Sequence, residues 1–228
     1  LVAGDEAVCT ITNNDNAPSL TLVKEVTNNN GGNAIASAWT LTATGPTGFS
    51  GEGPTVNNGA SFDAGTYNLS ESDLAGYSAS AWVCVGGTQN DSDTVTVGLG
   101  EDVICTITND DDVPSLTLHK IVVNNDGGAA IESDWNLFAS NGNVGIGGTG
   151  PTVTSDSTFK AGTYVLGESG GPSGYTPSDW VCVGGTQDGD EITVGLGEDV
   201  VCTITNDDQP GHLIVHKVTN PVDTTNEF

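Results

Sequence analysis

Residues 101–123, EDVICTITNDDDVPSLTLHKIVV, end one folding unit and begin the next. The same passage occurs twice more, as GDEAVCTITNNDNAPSLTLVKEV from Gly4 and as GEDVVCTITNDDQPGHLIVHKVT from Gly197. Each copy contains an alternating strand with a cysteine and an asparagine, an acidic turn with a proline, and an alternating strand with a lysine. The stretch therefore predicts tandem domains joined by short acidic turns.

A repeat of one domain length runs through the chain. The three lysines of the pattern lie 96 and 97 residues apart, and the three asparagines follow the same spacing. We predict two complete units at residues 18–113 and 114–210, preceded at residues 1–17 by the last strand of another unit. Residues 211–228 are predicted to be the first strand of a following, divergent unit. The repeated residues are Lys24, Lys120 and Lys217, and Asn13, Asn109 and Asn206.

The composition is strongly acidic, with 30 Asp and Glu against 4 Lys and Arg and a formal net charge of -26. Such a charge argues against nucleic acid and anionic membrane surfaces as partners, and it favours solubility and cations. No apolar run approaches the roughly 18 residues of a membrane span. We expect an extracellular protein, at the cell surface or in a secreted filament, whose partners are neighbouring repeats or copies of itself.

The alternation of apolar and polar residues predicts an all-β fold. A period of two residues dominates, and no window has the period of an amphipathic helix. Seven short strands in a unit of about 97 residues are typical of an Ig-like β-sandwich. The predicted strands of the first unit are residues 19–27, 37–44, 54–62, 65–71, 79–86, 93–99 and 102–109.

Three polar residues of each unit fall on the apolar side of their strands, because successive strand residues face opposite sides. In each unit these residues are a lysine in the first strand, a glutamate in a middle strand and an asparagine in the last strand. Burying them without partners would cost several kcal/mol for each ion. We therefore expect each set to meet in the core. The two sets are Lys24, Glu71 and Asn109, and Lys120, Glu168 and Asn206.

These patterns resemble a known family. A first strand L-x-L-x-K, a later Y-x-L-x-E followed by G-Y, and a closing strand ending in Asn are similar to B-type repeats of the Cna collagen adhesin and prealbumin-like domains of SpaA-type pilins. Here they are SLTLVK, YNLSESDLAGY and CTITN, then SLTLHK, YVLGESGGPSGY and CTITN. The resemblance implies a prealbumin-like, Cna B-type sandwich in which lysine and asparagine form an isopeptide bond, with glutamate as proton shuttle.

The chemistry of the bond fits the expected core independently of the resemblance. An apolar core favours the uncharged forms of an amine and a carboxylic acid, so a nucleophile and an acid can coexist near neutral pH. The acid form of Glu71 would polarise the amide carbonyl of Asn109 and pass protons as ammonia leaves. The alternative is a buried Lys-Glu ion pair with Asn as hydrogen-bond partner. The bond is favoured because three of the four basic residues share one repeat position.

The two ends of the chain carry half of a triad each. Residues 1–17 contain Asn13 and residues 211–228 contain Lys217. The two segments alone would lack the middle strands of a domain, so they are not expected to complete each other. We expect the chain to belong to a longer array, in which Asn13 is bonded to an upstream lysine and Lys217 to a downstream asparagine.

The cysteines depart from the family pattern. Cys84 and Cys105 lie 21 residues apart, and Cys182 and Cys202 lie 20 residues apart. A zinc site is one interpretation, but the chain has no CxxC pair, and the histidines beside the lysines are predicted to point outward. A disulfide in each unit is favoured, which indicates an oxidising compartment and would add roughly 3 kcal/mol to stability. Cys9 is unpaired in this chain, and we expect its partner before residue 1.

The turns between units are acidic, and the first, NNDNAP, resembles the calcium-binding linker DxNDNxP of cadherins. Carboxylate and amide oxygens suit calcium, which takes about six to eight oxygen ligands. A solvated interdomain turn is the favoured alternative, since Asn, Asp and Pro are its ordinary residues. No other cofactor is expected. The candidate calcium ligands are Asp15, Asp110, Asp111, Asp112, Asp207 and Asp208.

The sequence favours one of three classes of function. The leading hypothesis is a structural protein, in which covalently locked sandwiches form a stalk, pilus-like fibre or surface filament. The alternative is a ligand-binding or extender region of a cell-surface adhesin, but Trp39, Trp82 and Tyr67 fall on predicted core faces instead of an exposed sugar-binding platform. Enzyme turnover is not expected, because the sequence has no Ser-His-Asp grouping, phosphate loop or metal cluster.

Overall fold

The computed structural model describes residues 2–218 and contains two β-sandwiches in tandem. We call them unit 1 and unit 2, after the two predicted repeats. Within these residues the helical elements are two 3-10 turns, Ala36–Ala38 and Glu132–Asp134. The prediction of an all-β sandwich fold is confirmed. In the same part of the chain, no helix has the length and apolar character needed to cross a membrane.

Both units have the same ten strands in the same order. In unit 1 they are β1 Ser19–Thr27, β2 Thr40–Thr44, β3 Phe49–Glu52, β4 Thr55–Asn57, β5 Gly65–Glu71, β6 Tyr77–Ala79, β7 Val83–Val85, β8 Thr88–Gln89, β9 Thr94–Val97 and β10 Asp102–Asp111. In unit 2 they are β11 Ser115–Val123, β12 Trp135–Ser140, β13 Gly145–Thr149, β14 Thr152–Thr154, β15 Gly162–Gly170, β16 Tyr175–Pro177, β17 Val181–Val183, β18 Thr186–Asp188, β19 Glu191–Val194 and β20 Asp199–Asp208.

The first and last strands of each unit lie side by side in one sheet. In unit 1 this sheet has the order β4-β1-β10-β6, with β7 also pairing with β10, and the facing sheet has the order β3-β2-β5-β9-β8. Strands β1 and β10 run parallel, as do β11 and β20, and the other pairs described are antiparallel. A bond between side chains of the first and last strands would therefore span a single strand spacing.

The predicted number of seven strands is wrong, because the chain changes sheets at both edges of the sandwich. Strand β3 pairs with β2 in one sheet, and β4 pairs with β1 in the other, on either side of Gly53 and Pro54. Strand β7 pairs with β10 and β8 with β9, separated by Gly86 and Gly87, which have φ of 83° and 59°. The resulting strands of two to four residues are too short for alternation to reveal them.

The apolar side chains that alternation placed inward form the core of each sandwich. In β1, Leu20 and Leu22 are fully buried, and the aromatic residues Trp39, Tyr67 and Trp82 are buried with them. The stacked ring of Phe62 on Tyr67 is repeated in unit 2 by Phe159 on Tyr164. The prediction of inward faces is confirmed for these residues.

Among the described residues, those that flank the two units form no strand. Residues 5–18 and 209–218 are irregular, and Cys9 is exposed and forms no disulfide within residues 2–218. The predicted strands of neighbouring units at residues 1–17 and 211–228 remain predictions. Residue 1 and residues 219–228 lie outside the described residues.

Candidate functional site

The three predicted site residues of unit 1 meet between the two sheets. Lys24 lies in β1 and Asn109 in β10, while Glu71 is the last residue of β5 in the facing sheet. The Lys24 Nζ atom donates a hydrogen bond to Glu71 Oε2 at 2.5 Å and another to Asn109 Oδ1. Lys24 is 2% exposed and Asn109 is 3% exposed, so water has little access to this contact.

The corresponding residues of unit 2 meet in the same way but with one different contact. Lys120 Nζ donates to Glu168 Oε2 at 2.5 Å, and Asn206 Nδ2 donates to Glu168 Oε1 at 2.8 Å. The Asn206 Oδ1 atom is buried and has no hydrogen-bond partner in the part of the chain that the structure describes. The structure thus brings both predicted triads together.

Strand register explains why lysine and asparagine face each other. In the parallel pair, Lys24 is opposite Ile107, and Val26 is opposite Asn109. Residues two apart in a strand share a face, so Asn109 lies diagonally across from Lys24 on the inner side. The alternation that buries Leu20 and Leu22 therefore also buries the amine, and the register places an amide within its reach.

A tryptophan forms one wall of each triad, which was not predicted. The ring centroid of Trp39 lies 4.5 Å from Lys24 Nζ, and that of Trp135 lies 4.7 Å from Lys120 Nζ. A ring face attracts a cation and excludes water. From the sequence, Trp39 is expected only as a core residue, although its spacing of 96 residues to Trp135 matches that of the lysines.

Burial changes the proton affinity of the two amines. Loss of hydration lowers the pKa of Lys24 and of Lys120 below the usual lysine value, and contact with the neighbouring glutamate only partly opposes this effect. A lowered pKa makes the uncharged, nucleophilic amine more accessible near neutral pH. In unit 1, where Lys24 Nζ also contacts Asn109 Oδ1, the geometry and the lowered pKa both suit attack by the amine on the amide.

A second polar network lies at the same end of the sheet. Asp111 follows Asn109 by two residues in β10 and is only 2% exposed. Its carboxylate accepts backbone N–H groups from Asn29 and Asn30, each at 2.9 Å, and from Gly32 at 2.7 Å. These bonds hold residues 28–32, which we call the tip loop of unit 1, against the end of β10.

Unit 2 repeats this arrangement in its own tip loop, residues 124–128. Asp208 accepts N–H groups from Asn125 at 2.8 Å, Asp126 at 3.0 Å and Gly128 at 2.6 Å. Burial by itself would raise the pKa of Asp208, but the hydrogen bonds from these N–H groups outweigh it and hold the pKa below its usual value. The expectation that Asp111 and Asp208 lie in solvated hinges is wrong, because both are buried residues of strands.

The other candidate calcium ligands lie around the linkers. Asp15 and Asp110 are exposed, Asp207 is half-buried, and Asp112 accepts a hydrogen bond from the Ser78 hydroxyl at 2.6 Å. Between residues 2 and 218, no cluster of three or more His, Cys, Asp or Glu residues is arranged to hold a metal ion. Calcium binding at the linkers remains a prediction.

The two favoured disulfides are present. Cys84 in β7 is bonded to Cys105 in β10, and Cys182 in β17 is bonded to Cys202 in β20. In each pair the two cysteines are directly opposite each other in the sheet. The disulfide thus ties the last strand of each unit to the short strand on one side of it. The lysine of the triad lies in the first strand of the unit, on the other side.

The chain belongs to a family of prealbumin-like fold domains. The family SpaA_2, described as a prealbumin-like fold domain, matches residues 15–107 and again residues 111–204. No curated protein matches the chain in sequence. The family assignment rests on two successive matches that together cover most of the chain.

Solved structures that are similar to this chain include pilus proteins. A major pilin from Streptococcus pyogenes has 14% identity and a TM-score of 0.41, covering 85% of this chain and 99% of that chain. The T-13 major pilin protein from Streptococcus pyogenes has 13% identity and a TM-score of 0.38, covering 85% and 97%. A C-terminal fragment of the pilus adhesin SpaC from Lactobacillus rhamnosus GG has 14% identity and a TM-score of 0.37, covering 86% and 99%.

Proposed function

We propose that this chain is a structural segment of an extracellular stalk, pilus-like fibre or surface filament, and that each unit is locked by a Lys–Asn isopeptide bond. The observation that carries the proposal is the burial of a lysine in contact with a glutamate, beside an asparagine, at the same place in both units. A structural ion pair does not require an amide carbonyl in contact with the amine, whereas bond formation does, and in unit 1 Lys24 Nζ contacts Asn109 Oδ1.

The proposed reaction needs only these side chains. The uncharged amine of Lys24 attacks Cγ of Asn109, and a new C–N bond forms while the original amide C–N bond breaks. Glu71 takes a proton from the attacking nitrogen and delivers it to the leaving nitrogen, which departs as ammonia. Atoms and electrons balance without an oxidant or cofactor. Each unit reacts once, on itself, so the reaction is maturation and not turnover.

The position of the bond suits a protein that carries tension. A pulling force enters unit 1 at Ser19, where β1 begins, and leaves at Asp111, where β10 ends. A bond from Lys24 to Asn109 would carry the load directly from the first strand to the last. The intervening residues 25–108 would then bear no load and could not unravel. The same argument applies to Lys120 and Asn206 in unit 2.

The alternative of a ligand-binding or extender region of an adhesin has less support. Sugar recognition usually requires aromatic rings on the surface. In unit 1, Trp39, Trp82, Phe62 and Tyr67 are all buried in the core. These rings stabilise the sandwich and are not available to a ligand, which favours the structural role.

The mass of the reduced, denatured protein tests the proposed bonds. We expect the wild-type mass to fall short of the sequence mass by one ammonia for each unit. Glu71→Gln should restore one ammonia and Glu168→Gln the other. The matched control is Glu25→Gln, since Glu25 is an exposed glutamate next to Lys24 and should restore none. A wild-type mass without deficit contradicts the proposal and leaves the buried ion pair.

A peptide map locates each bond. Trypsin does not cleave at an acylated lysine, so Lys24 and Asn109 would stay on one tryptic peptide, and a protease that cleaves after glutamate is used instead. Peptide 7–25, which contains Lys24, should then be joined to peptide 102–132, which contains Asn109, and Lys120 of that peptide should be joined to Asn206 in peptide 199–227, so the three form one branched species. A mass deficit without this branched species would point to a different loss of ammonia, such as cyclisation of an asparagine.

A further inference from the structure

The alternation of β1 and β10 does not by itself fix how the two strands align. Every second residue of each strand faces the core, so a slip of two residues leaves an apolar face on the inner side. Such a slip moves a side chain by about 6.6 Å along the strand. It would carry the Lys24 amine out of reach of Asn109, so the proposed bond requires a contact that selects one register.

Asp111 makes a contact that selects this register. It lies two residues after Asn109 on the inner face of β10 and is 2% exposed. Its carboxylate accepts the N–H groups of Asn29, Asn30 and Gly32, in the tip loop that directly follows β1. A slip of β1 would carry these donors away and leave a buried carboxylate without its hydrogen bonds, which is strongly unfavourable.

Tyr77 holds the same loop from the other side. It lies opposite Asp111 in the pairing of β6 with β10, and its hydroxyl donates to Asn28 Oδ1 at 2.6 Å and accepts from Ala34 N–H at 2.9 Å. A Cβ atom on Gly32 would clash with the Tyr77 hydroxyl oxygen and lie 2.8 Å from Asp111 Oδ2. The loop backbone thus packs directly against both side chains, which we call the clamp of unit 1.

The clamp is connected to both reacting residues of the triad. The ring of Tyr77 meets that of Trp39 edge to face, with centroids 5.3 Å apart, and the Trp39 centroid lies 4.5 Å from Lys24 Nζ. On the other side, Asp111 is separated from Asn109 by one residue of the same strand. The clamp therefore fixes the surroundings of the amine and of the amide without touching either group.

Unit 2 has an equivalent clamp, formed by Asp208 and Tyr175, which are opposite each other in the sheet. Asp208 accepts three N–H groups of its tip loop. The Tyr175 hydroxyl donates to Asn124 Oδ1 and accepts from Ala130 N–H at 3.0 Å, and the Tyr175 ring centroid lies 5.4 Å from that of Trp135. The two units differ in the hydrogen bond of the triad asparagine, yet they share the clamp.

We propose that Asp111 and Asp208 are positioning residues for the isopeptide bonds, because they set the strand register in which lysine meets asparagine. This inference rests on the proposed bond formation and adds two residues that do not touch the reacting atoms. The clamp acts on the rate of the reaction, since the groups must be aligned before the bond forms and the bond itself holds the register afterwards. Misplacement of reacting groups by about 1 Å can slow a reaction about a hundredfold.

The rate of ammonia loss from unit 1 tests the inference. The full chain carries Asn206→Ala, so that only unit 1 can react, and is synthesised in an oxidising cell-free extract. After translation is stopped, samples are denatured at intervals and reduced, and the intact mass gives the fraction that has lost ammonia. Adding Asp111→Ala should slow the reaction by about ten- to hundredfold, although it still reaches completion. Asp111→Asn retains one acceptor oxygen and should give an intermediate rate.

Two controls separate positioning from a general loss of stability. Val95→Ala removes buried methyl groups from β9 in the facing sheet, where the side chain is fully buried, and leaves the clamp intact. Ser19→Ala removes an exposed hydrogen bond to Asp102 Oδ1, 2.6 Å long, between the same two strands at their other end. Both should react at the rate of the parent chain, and a control that slows the reaction as much as Asp111→Ala overturns the inference.

Unit 2 provides an independent repeat. In a chain with Asn109→Ala, only unit 2 can react, and Asp208→Ala should slow it as Asp111→Ala slows unit 1. Near-ultraviolet circular dichroism verifies that each variant folds, and Asp111→Asn decides the outcome for unit 1 if Asp111→Ala does not. Unchanged rates in the folded variants overturn this inference alone. Parent chains that never lose ammonia overturn the proposed bonds and this inference with them.

Discussion

The two triads use the same residue types but differ in the hydrogen bond that the asparagine makes. In unit 1 the Lys24 amine donates to the carbonyl oxygen of Asn109, whereas in unit 2 the amide nitrogen of Asn206 donates to the Glu168 carboxylate. The proposed reaction needs both contacts, an amine at the carbonyl group and an acid at the leaving nitrogen. The backbone register is the same in the two units, so the difference lies in the amide and its two neighbours. Two units with the same strand register can therefore differ in the hydrogen bonds of their triad side chains.

The largest expected effect comes from pulling on units with and without the bond. In Glu71→Gln under reducing conditions, residues 25–108 should extend on unfolding by about 3.5 Å for each residue. In the wild type they should not extend, because the load passes from Lys24 to Asn109. Single-molecule force spectroscopy measures the gain in length. Glu168→Gln should transfer the extension to unit 2, and full extension of both units in the wild type would exclude both bonds.

The next largest effect concerns the two covalent ties of the last strand. Reduction of the wild type should lower the thermal midpoint only slightly, because the isopeptide still holds β10 against β1. Reduction of Asn109→Ala should cost unit 1 roughly 3 kcal/mol more, the loop-closure contribution of a disulfide in an otherwise open chain. Asn206→Ala tests unit 2 in the same way. If reduction costs wild type and variants equally, the disulfides act alone in that unit.

Removal of the carboxylates that hold the tip loops should cost less. Asp111→Asn weakens bonds to three backbone N–H groups, with an expected loss of about 1–3 kcal/mol in the free energy of unfolding. Asp208→Asn weakens the equivalent bonds of unit 2 and should also lower its stability. Urea unfolding at neutral pH measures each loss. The control is Asp110→Asn, because Asp110 lies in the same strand as Asp111 but is exposed.

The unit 2 variant also has a predicted pH dependence. The pKa of Asp208 is lowered in the folded protein, so its contribution is fully present above the usual carboxyl pKa of 3.8 and is lost as the pH falls through the lowered value. The difference between wild type and Asp208→Asn should therefore shrink on acidification. A difference that stays constant down to the lowest pH would show that the charge of Asp208 plays no part.

The smallest effect is a pH dependence in the alkaline range. In Asn109→Ala no bond can form, and the pKa of Lys24 is lowered by burial in the folded state. Between the lowered pKa and the usual one, the unfolded chain binds a proton that the folded chain does not. The free energy of unfolding should therefore rise as the pH increases through this window, with a slope of at most about 1.4 kcal/mol per pH unit.

A second variant isolates this effect from other titrating groups. The double variant Lys24→Met with Asn109→Ala lacks the amine and should show no such rise, while every tyrosine and the remaining lysines are unchanged. Asn206→Ala, compared with Lys120→Met in the same background, repeats the measurement in unit 2, where burial also lowers the lysine pKa. Parallel curves for single and double variants would show that the amine does not titrate in this range.

The amino-acid sequence was sufficient to predict the sandwich fold, the inward faces of the strands and the members of both triads. Alternation is a local property, so the position of Lys24 after Leu20 and Leu22 is enough to turn its side chain inward. The pattern occurs twice in the chain, so each predicted triad residue is supported by its counterpart in the other unit. The disulfide pairs followed from the same repetition, since each unit contains only one cysteine pair.

Three features depend on the tertiary structure and were not predicted. They are the places where the chain passes from one sheet to the other, the tryptophan beside each triad lysine, and the contacts of the acidic residues after Asn109. The sequence NDDD is typical of a solvated turn, yet Asp111 is buried because a loop about 80 residues away in sequence folds its N–H groups onto the carboxylate. Trp39 covers Lys24 for a similar reason, since the two are separated in sequence and meet only when the sheets pack. Local sequence patterns cannot predict these contacts, because each contact joins residues that are far apart in the sequence and adjacent only in the fold.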